Sequence, residues 1–205
     1  PGVQVQRLNS YGYQITIRGF NGLYGNKLLV MVDGRTVYTP TFSGVYWDML
    51  DVNMPDIAQI EVIRGPGATL WGANAVNGII NIITKPTTDT LGGNLSLGGG
   101  NNETHSSLRY TWGLSDDVTA RLYSKYNTYE DFRRIKTSDV DDSWNMQQSG
   151  LRLDWKINEQ QTFSIQGDFF SADYGNLGVS GSDNRERSGE NVVVNYTNNH
   201  EDGSS

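Results

Sequence analysis

Residues Ile60–Lys85 read IEVIRGPGATLWGANAVNGIINIITK. Ile57–Ile63 reads as a strand through Ile60, Val62 and Ile63. It runs into Arg64 and the turn-forming Gly65-Pro66-Gly67, and the stretch closes on Gly78–Thr84, a β-branched run that is apolar on both faces. A strand with no wet face belongs in the interior of a sheet, so the region up to about Lys85 reads as a compact globular unit. Upstream, Lys27–Tyr38 (KLLVMVDGRTVY) predicts two strands around Asp33-Gly34, because a two-residue hairpin turn needs positive φ at both central positions and Asp-Gly suits it.

Beyond Pro86 the hydrophobic period becomes a sustained two. In GLRLDWKI, residues 150–157, one face carries Leu151, Leu153, Trp155 and Ile157 and the other Arg152, Asp154 and Lys156. The same sorting places Leu108, Tyr110, Trp112 and Leu114 opposite Ser107, Arg109, Thr111 and Gly113. It places Val118, Ala120, Leu122 and Tyr126 opposite Thr119, Arg121, Tyr123 and Lys125, and Phe163, Ile165 and Phe169 opposite Ser164, Gln166 and Asp168. Connections alternate between tight ones (Ser115-Asp116-Asp117 and Asn158-Glu159-Gln160) and long polar ones (Glu130–Met146 and Asp173–Gly189). Only the first long-side connection, near Gly100–Glu103, is short. This asymmetry, with rings near both ends of the apolar band (Trp112 and Trp155, Tyr126 and Phe169), is the pattern of a transmembrane β-barrel. A soluble antiparallel sandwich also alternates, but its core does not account for inward-facing charges beside such regular connections.

Composition removes several function classes. The net charge of −7 and the absence of any basic stripe argue against a nucleic-acid partner. With no cysteine and only His105 and His200, neither a disulfide framework nor a thiolate or histidine metal site is expected, and no cofactor is implied. No window approaches the ~20 apolar residues of a spanning helix, which leaves strands open. The glycine-rich turn lacks the third glycine of a dinucleotide fingerprint, and no Gly-Lys-Ser/Thr loop exists. Neither histidine lies near a nucleophile elbow, so no enzyme is expected. Asp51, Asp56 and Glu61 read as solvated turns or ion pairs. The chain opens at Pro1 without a charged and apolar leader, so any signal peptide is expected outside it.

Arg64 and Arg18 each follow an apolar strand, where a guanidinium must reach water or carboxylates, and this suggests docking onto a partner surface. Pro1–Val5 (PGVQV), Ile17–Phe20 (IRGF), Leu29–Gly34 (LVMVDG), Ile60–Pro66 (IEVIRGP), Leu70–Gly72 (LWG) and Gly78–Lys85 (GIINIITK) occur in an order that resembles the plug domain of TonB-dependent outer-membrane receptors. The motifs are dense to residue 86, with barrel-like patterning beyond.

The resemblance implies a mainly β protein: a mixed α/β plug over residues 1–86, incomplete at its amino terminus, then the first six or so strands of a 22-stranded barrel over residues 87–205. It implies that Arg18, Glu61 and Arg64 anchor plug to barrel wall, and that Asn21, Tyr24, Phe42, Tyr46 and Trp47 at the plug apices face substrate. Tyr46 and Trp47 read equally well as packed core aromatics. It further implies energy-dependent import of an iron-siderophore complex across a bacterial outer membrane, with the TonB complex and outer-membrane lipid as partners and a monomeric complete receptor. Cobalamin, haem or glycan import and a passive pore are the alternatives. A plug of ~85 residues, with a radius of gyration near ~12 Å, is too wide for six strands to enclose. The chain is therefore expected to be a fragment with unpaired strand edges that aggregates alone.

Overall fold

The structure is a computed structural model that describes residues 2–17, 19, 26–39, 43–72, 74–130, 142–175 and 185–199. The chain divides into two compact units, Pro1–Lys85 and Pro86–Ser205.

In the first unit, β1 (Val3–Arg7) pairs antiparallel with β2 (Tyr13–Ile17). The Asn9 side-chain oxygen accepts the Tyr11 and Gly12 amides and so closes the bend between them. A second, four-stranded sheet has the order β4-β3-β6-β5, from β3 (Leu28–Val32), β4 (Arg35–Thr36), β5 (Ile57–Arg64) and β6 (Gly78–Thr84). β3 and β6 run parallel in the centre, and β5 pairs antiparallel with β6. All five residues of β3 are buried, because both faces are covered. Ile17, Leu28, Val30, Val45 and Ile80 pack on one side, and Leu29, Met31, Ala75 and Ile79 on the other. Each valine, leucine, isoleucine or methionine among them contributes about 1.5–3 kcal/mol when fully buried.

The Asp33-Gly34 turn has φ of 48° and 83°, the two positive values its sequence calls for. Asp33 also reaches past its own hairpin: its carboxylate accepts the Thr84 amide at 2.8 Å and the Thr84 hydroxyl at 2.7 Å, tying the turn to the end of β6.

Two features depart from the sequence reading. Between β5 and β6 the chain makes a single helical turn, α1 (Ala68–Trp71), where only a tight turn is expected; the Leu70 and Trp71 amides both donate to the Gly67 carbonyl. Asp56, expected in a solvated turn or ion pair, is buried. It accepts from the Asn53 side chain at 2.8 Å within the 3-10 turn Met54–Asp56, and its backbone carbonyl receives the Lys85 amide, also at 2.8 Å.

The second unit is one six-stranded antiparallel sheet in sequence order: β7 (Gly92–Gly99), β8 (Glu103–Gly113), β9 (Val118–Tyr129), β10 (Trp144–Lys156), β11 (Gln161–Tyr174) and β12 (Arg185–Asn198). The register fixes its two faces. One carries Leu108, Tyr110, Leu122, Leu151, Trp155, Phe169, Val192, Val194 and Tyr196, all exposed. The other carries Arg109, Thr111, Thr119, Arg121, Lys125 and Gln148, all buried. Leu151 is 50% exposed and Arg121 only 4%, the inverse of a soluble fold.

Pairing runs further than the apolar alternation predicts. β10 begins at Trp144 and β11 ends at Tyr174, inside the segments expected as loops. Backbone hydrogen bonds require no apolar side chain, so the ladder continues where the outer face has turned polar, through Asn145, Gln147, Ser171 and Asp173.

Substituting Gly78 tests the central sheet. A methyl there would sit 2.6 Å from the Ile63 carbonyl oxygen and 2.9 Å from Ile17 Cδ1, and the backbone oxygen cannot yield. Gly78→Ala should cost about 1–3 kcal/mol, read as a lowered midpoint for the first unit in urea followed by tryptophan fluorescence. Gly67→Ala, which meets only side chains at 3.0 and 3.3 Å, should cost less.

Candidate functional site

Of the residues that the sequence nominates, Arg18, Asn21, Tyr24 and Phe42 lie outside the described residues. Tyr46 and Trp47 sit in the turn after Val45, where the Met49 amide donates to the Tyr46 carbonyl at 3.1 Å. Both are half-buried. Trp47 packs against the cluster of Ile17, Leu28, Val30, Val45 and Ile80, so part of its ring serves the core and the rest reaches solvent. Tyr38 packs on both core clusters and donates its hydroxyl to the Leu28 carbonyl at 3.2 Å. Burial pushes its pKa above the usual phenol value, partly opposed by the Asn74 side chain, and the hydroxyl stays protonated.

Glu61 and Arg64 project from opposite faces of β5, three residues apart on a period of two. The Glu61 carboxylate accepts the Asn81 amide at 3.0 Å and the Gln59 amide at 2.9 Å, so it is already engaged across β5 and β6. The exposed Arg64 side chain lies over Gly2, where an added methyl would stand 3.5 Å from its Cδ. The structure thus places Glu61 and Arg64 on opposite faces of one exposed strand.

The polar face of the second unit holds a constellation that the sequence reading did not assign. Its successive register rows are Glu103, Tyr129, Trp144, Tyr174 and Arg185; then His105, Asn127, Met146, Ala172 and Arg187; and, toward the tight turns, Thr111, Arg121, Arg152 and Gln166. In the first row the Tyr129 and Trp144 rings stack at 4.9 Å and 1°, and the Trp144 and Tyr174 rings at 5.9 Å and 8°. The Arg187 guanidinium lies 4.8 Å from the centre of the Tyr174 ring, adding a cation–π contact to the row. These rings stand where β9 through β12 leave for the long connections. The signal for them was present in the sequence: Tyr129 and Trp144 share the parity of the inward charges Arg121, Lys125 and Arg152.

Lower on this face, Tyr123 lies over Gly150 and Phe170 over Gly189, each ring covering the cross-strand glycine opposite it. Gln148 donates to Asp168 at 2.9 Å, and Arg152 bridges Asp154 at 2.8 Å and Gln166 at 3.2 Å. Among the described residues, no group of three or more His, Asp or Glu is placed to hold a metal ion. The arrangement suits non-covalent recognition by rings, guanidinium groups and amides.

Residues 1–79 match the TonB-dependent Receptor Plug Domain family. The chain is 35% identical over 104 residues to the vitamin B12 transporter BtuB of Vibrio vulnificus, covering 50% of this chain and 16% of that protein. It is 28% identical over 221 residues to the ferric enterobactin receptor of Pseudomonas aeruginosa, covering 84% of this chain and 28% of that protein. Among solved structures, a variant of the P. aeruginosa ferric enterobactin receptor PfeA, in complex with enterobactin, has the same fold over 99% of this chain and 36% of its own, with a TM-score of 0.72 at 21% identity. The ferripyoverdine receptor of the P. aeruginosa outer membrane shares it over 99% and 29%, with a TM-score of 0.70 at 19% identity. The chain spans less than a third of the length of these two curated relatives.

The stacked row should hold the strand ends together. Trp144→Ala removes a buried ring and both stacks, at a cost of about 3–5 kcal/mol. Hydrogen exchange should quicken at the amides of the upper ends of β9, β10 and β11, while Trp144→Phe keeps most of the protection.

Proposed function

We propose that this chain, whose residues 1–79 match the plug domain of TonB-dependent receptors, is part of an active importer of a scarce solute, an iron-siderophore complex, in a bacterial outer membrane. Residues 1–86 act as the plug, and residues 87–205 supply the first strands of the enclosing barrel. The observation that carries this reading is the inverted sheet: apolar side chains exposed on one face, and arginines and lysine buried on the other, directly after a plug domain.

The exposed face would meet lipid. From Phe163 to Phe169 its apolar band runs about 20 Å along the strand, at ~3.3 Å per residue. Tilted by about 40°, that stretch spans about 15 Å, somewhat over half of the ~25 Å apolar band such a barrel presents. The polar face would line the lumen, and its arginines and aromatic row fit an anionic, ring-bearing ferric complex better than a small neutral solute. Tyr46 and Trp47 are proposed, with Asn21, Tyr24 and Phe42, as the plug's side of the ligand contact. Arg18, Glu61 and Arg64 are proposed to fasten plug to wall. The TonB complex would pull on a segment preceding these residues, and the plug would yield a passage. No bond in the solute is made or broken.

Cobalamin is the second reading, favoured by the 35% identity to a vitamin B12 transporter over half of the chain. Uptake of a labelled ferric catecholate and of labelled cyanocobalamin, by cells making the complete receptor, separates the two. The proposal expects ferric uptake that stops when a protonophore collapses the inner-membrane gradient. Uptake that survives the protonophore would identify a passive pore instead.

The lipid assignment is checked independently. Leu151→Arg should lower folding free energy in lipid vesicles by about 2–4 kcal/mol, measured by refolding titration. Substituting Asn145, on the same face of β10 but beyond the apolar band, should change it little.

A further inference from the structure

The chain enters the second unit through Pro86 and at once makes a 3-10 turn, Thr87–Thr90, which is fastened to the polar face by side chains from three strands. Thr87 is completely buried and Thr90 nearly so. The Thr87 amide donates to Asp154 Oδ2 at 2.7 Å and the Thr87 hydroxyl to the same oxygen at 2.9 Å. The Thr119 hydroxyl meets the Thr87 hydroxyl. At the other end of the turn, the Thr90 carbonyl accepts from Arg109, and the Thr90 hydroxyl lies 3.3 Å from that of Thr111 and 3.5 Å from Arg121. Asp154 is itself held by Arg152, which reaches on to Gln166 of β11.

These contacts are more than one turn of chain needs in order to change direction. They involve a carboxylate and two buried arginines, groups whose hydrogen bonds are the strong ones. They also act from both ends of the turn, so that tension arriving through Pro86 loads them together. On the far side of the turn the chain is poorly suited to carry a load, because β7 opens with Gly92 and Gly93, which have no side chains to hold. On the near side the first strand is weakly held. β1 is exposed at all five residues and, among the described residues, pairs with β2 alone, whereas β3 and β6 carry the buried core. Local stability is therefore lower at β1 than at the buried strands β3 and β6.

We propose that the Thr87–Thr90 turn is a mechanical stop. It stays fastened to β8, β9 and β10 while force unravels residues before Pro86, bounding the extension at the junction and shielding β7 from being peeled off its neighbour. Asp154 is the positioning residue of this stop, acting through the Thr87 amide and hydroxyl. The inference rests on the proposed function, in which import is driven by pulling from the amino-terminal side.

The test uses the complete receptor with Thr87→Cys and Thr119→Cys. The two hydroxyls touch, so the thiols can join, and these 205 residues contain no other cysteine. If the turn is a stop, the oxidised form takes up a ferric catecholate, or cyanocobalamin if that is the solute, at the unsubstituted rate. Uptake that is lost on oxidation and restored by a reductant would overturn the proposal, because the turn would then have to open. A second pair, Gln6→Cys with Gln14→Cys across β1 and β2, locks the weak end. Its oxidation should abolish uptake; if it does not, the pulling mechanism itself has failed rather than the stop. Independently, Asp154→Ala should speed exchange at the Thr87 amide by about tenfold or more, with ligand binding to de-energised cells unchanged. Thr87→Val, which keeps the volume and removes the hydroxyl's bond to Asp154, should speed exchange at the same Thr87 amide by a smaller factor if the alanine variant fails to assemble. Protection unchanged in the assembled variant would mean that the contacts do not hold the turn.

Discussion

The constraint on which this structure depends is the backbone hydrogen-bond ladder from β7 to β12, whose side-chain period is two. Once the register pairs Leu151 with Leu122 and Arg152 with Arg121, every other residue of six strands is assigned to a face. A slip of one residue would exchange the exposed leucines for the buried arginines along a whole strand. In lipid such a ladder must also satisfy every polar backbone group internally, which is why strands spanning a membrane belong to closed sheets. The pairing therefore fixes the apolar belt, the polar lining and the positions from which Asp154, Arg121 and Trp144 act.

The first unit solves a different problem. Its central strands are apolar on both faces, so the sheet needs cover on both sides, and the end of β2 and the loops supply it through Ile17, Val45 and Ala75. Its fastening is economical: Asp33 closes a hairpin and ties off β6. On the polar side of the second unit, hydrogen bonding takes over from burial as the organising influence. Threonines, arginines and carboxylates meet there in networks whose members hold one another, and the stacked rings stiffen the ends that lead into the long connections. The two units thus rely on different interactions, burial in the one whose residues 1–79 match a plug-domain family and polar networks in the other.

Sequence alone determined the division near Pro86, where the hydrophobic period changes. It also determined the hairpin at Asp33-Gly34, the interior strand from Gly78 to Thr84 and the two faces of β8 to β11. Each stems from local chemistry: a turn that needs positive φ, a run without a wet face, an alternation of period two. Tertiary structure alone decided the parallel pairing of β3 with β6, the burial of Asp56 and the engagement of Glu61 by Asn81. It likewise decided the stack of Tyr129, Trp144 and Tyr174 and the grip of Asp154 on Thr87, since each joins residues distant in the chain whose meeting depends on register and topology. A period says which side a residue faces, but which partner stands opposite is fixed only when the strands have been brought side by side.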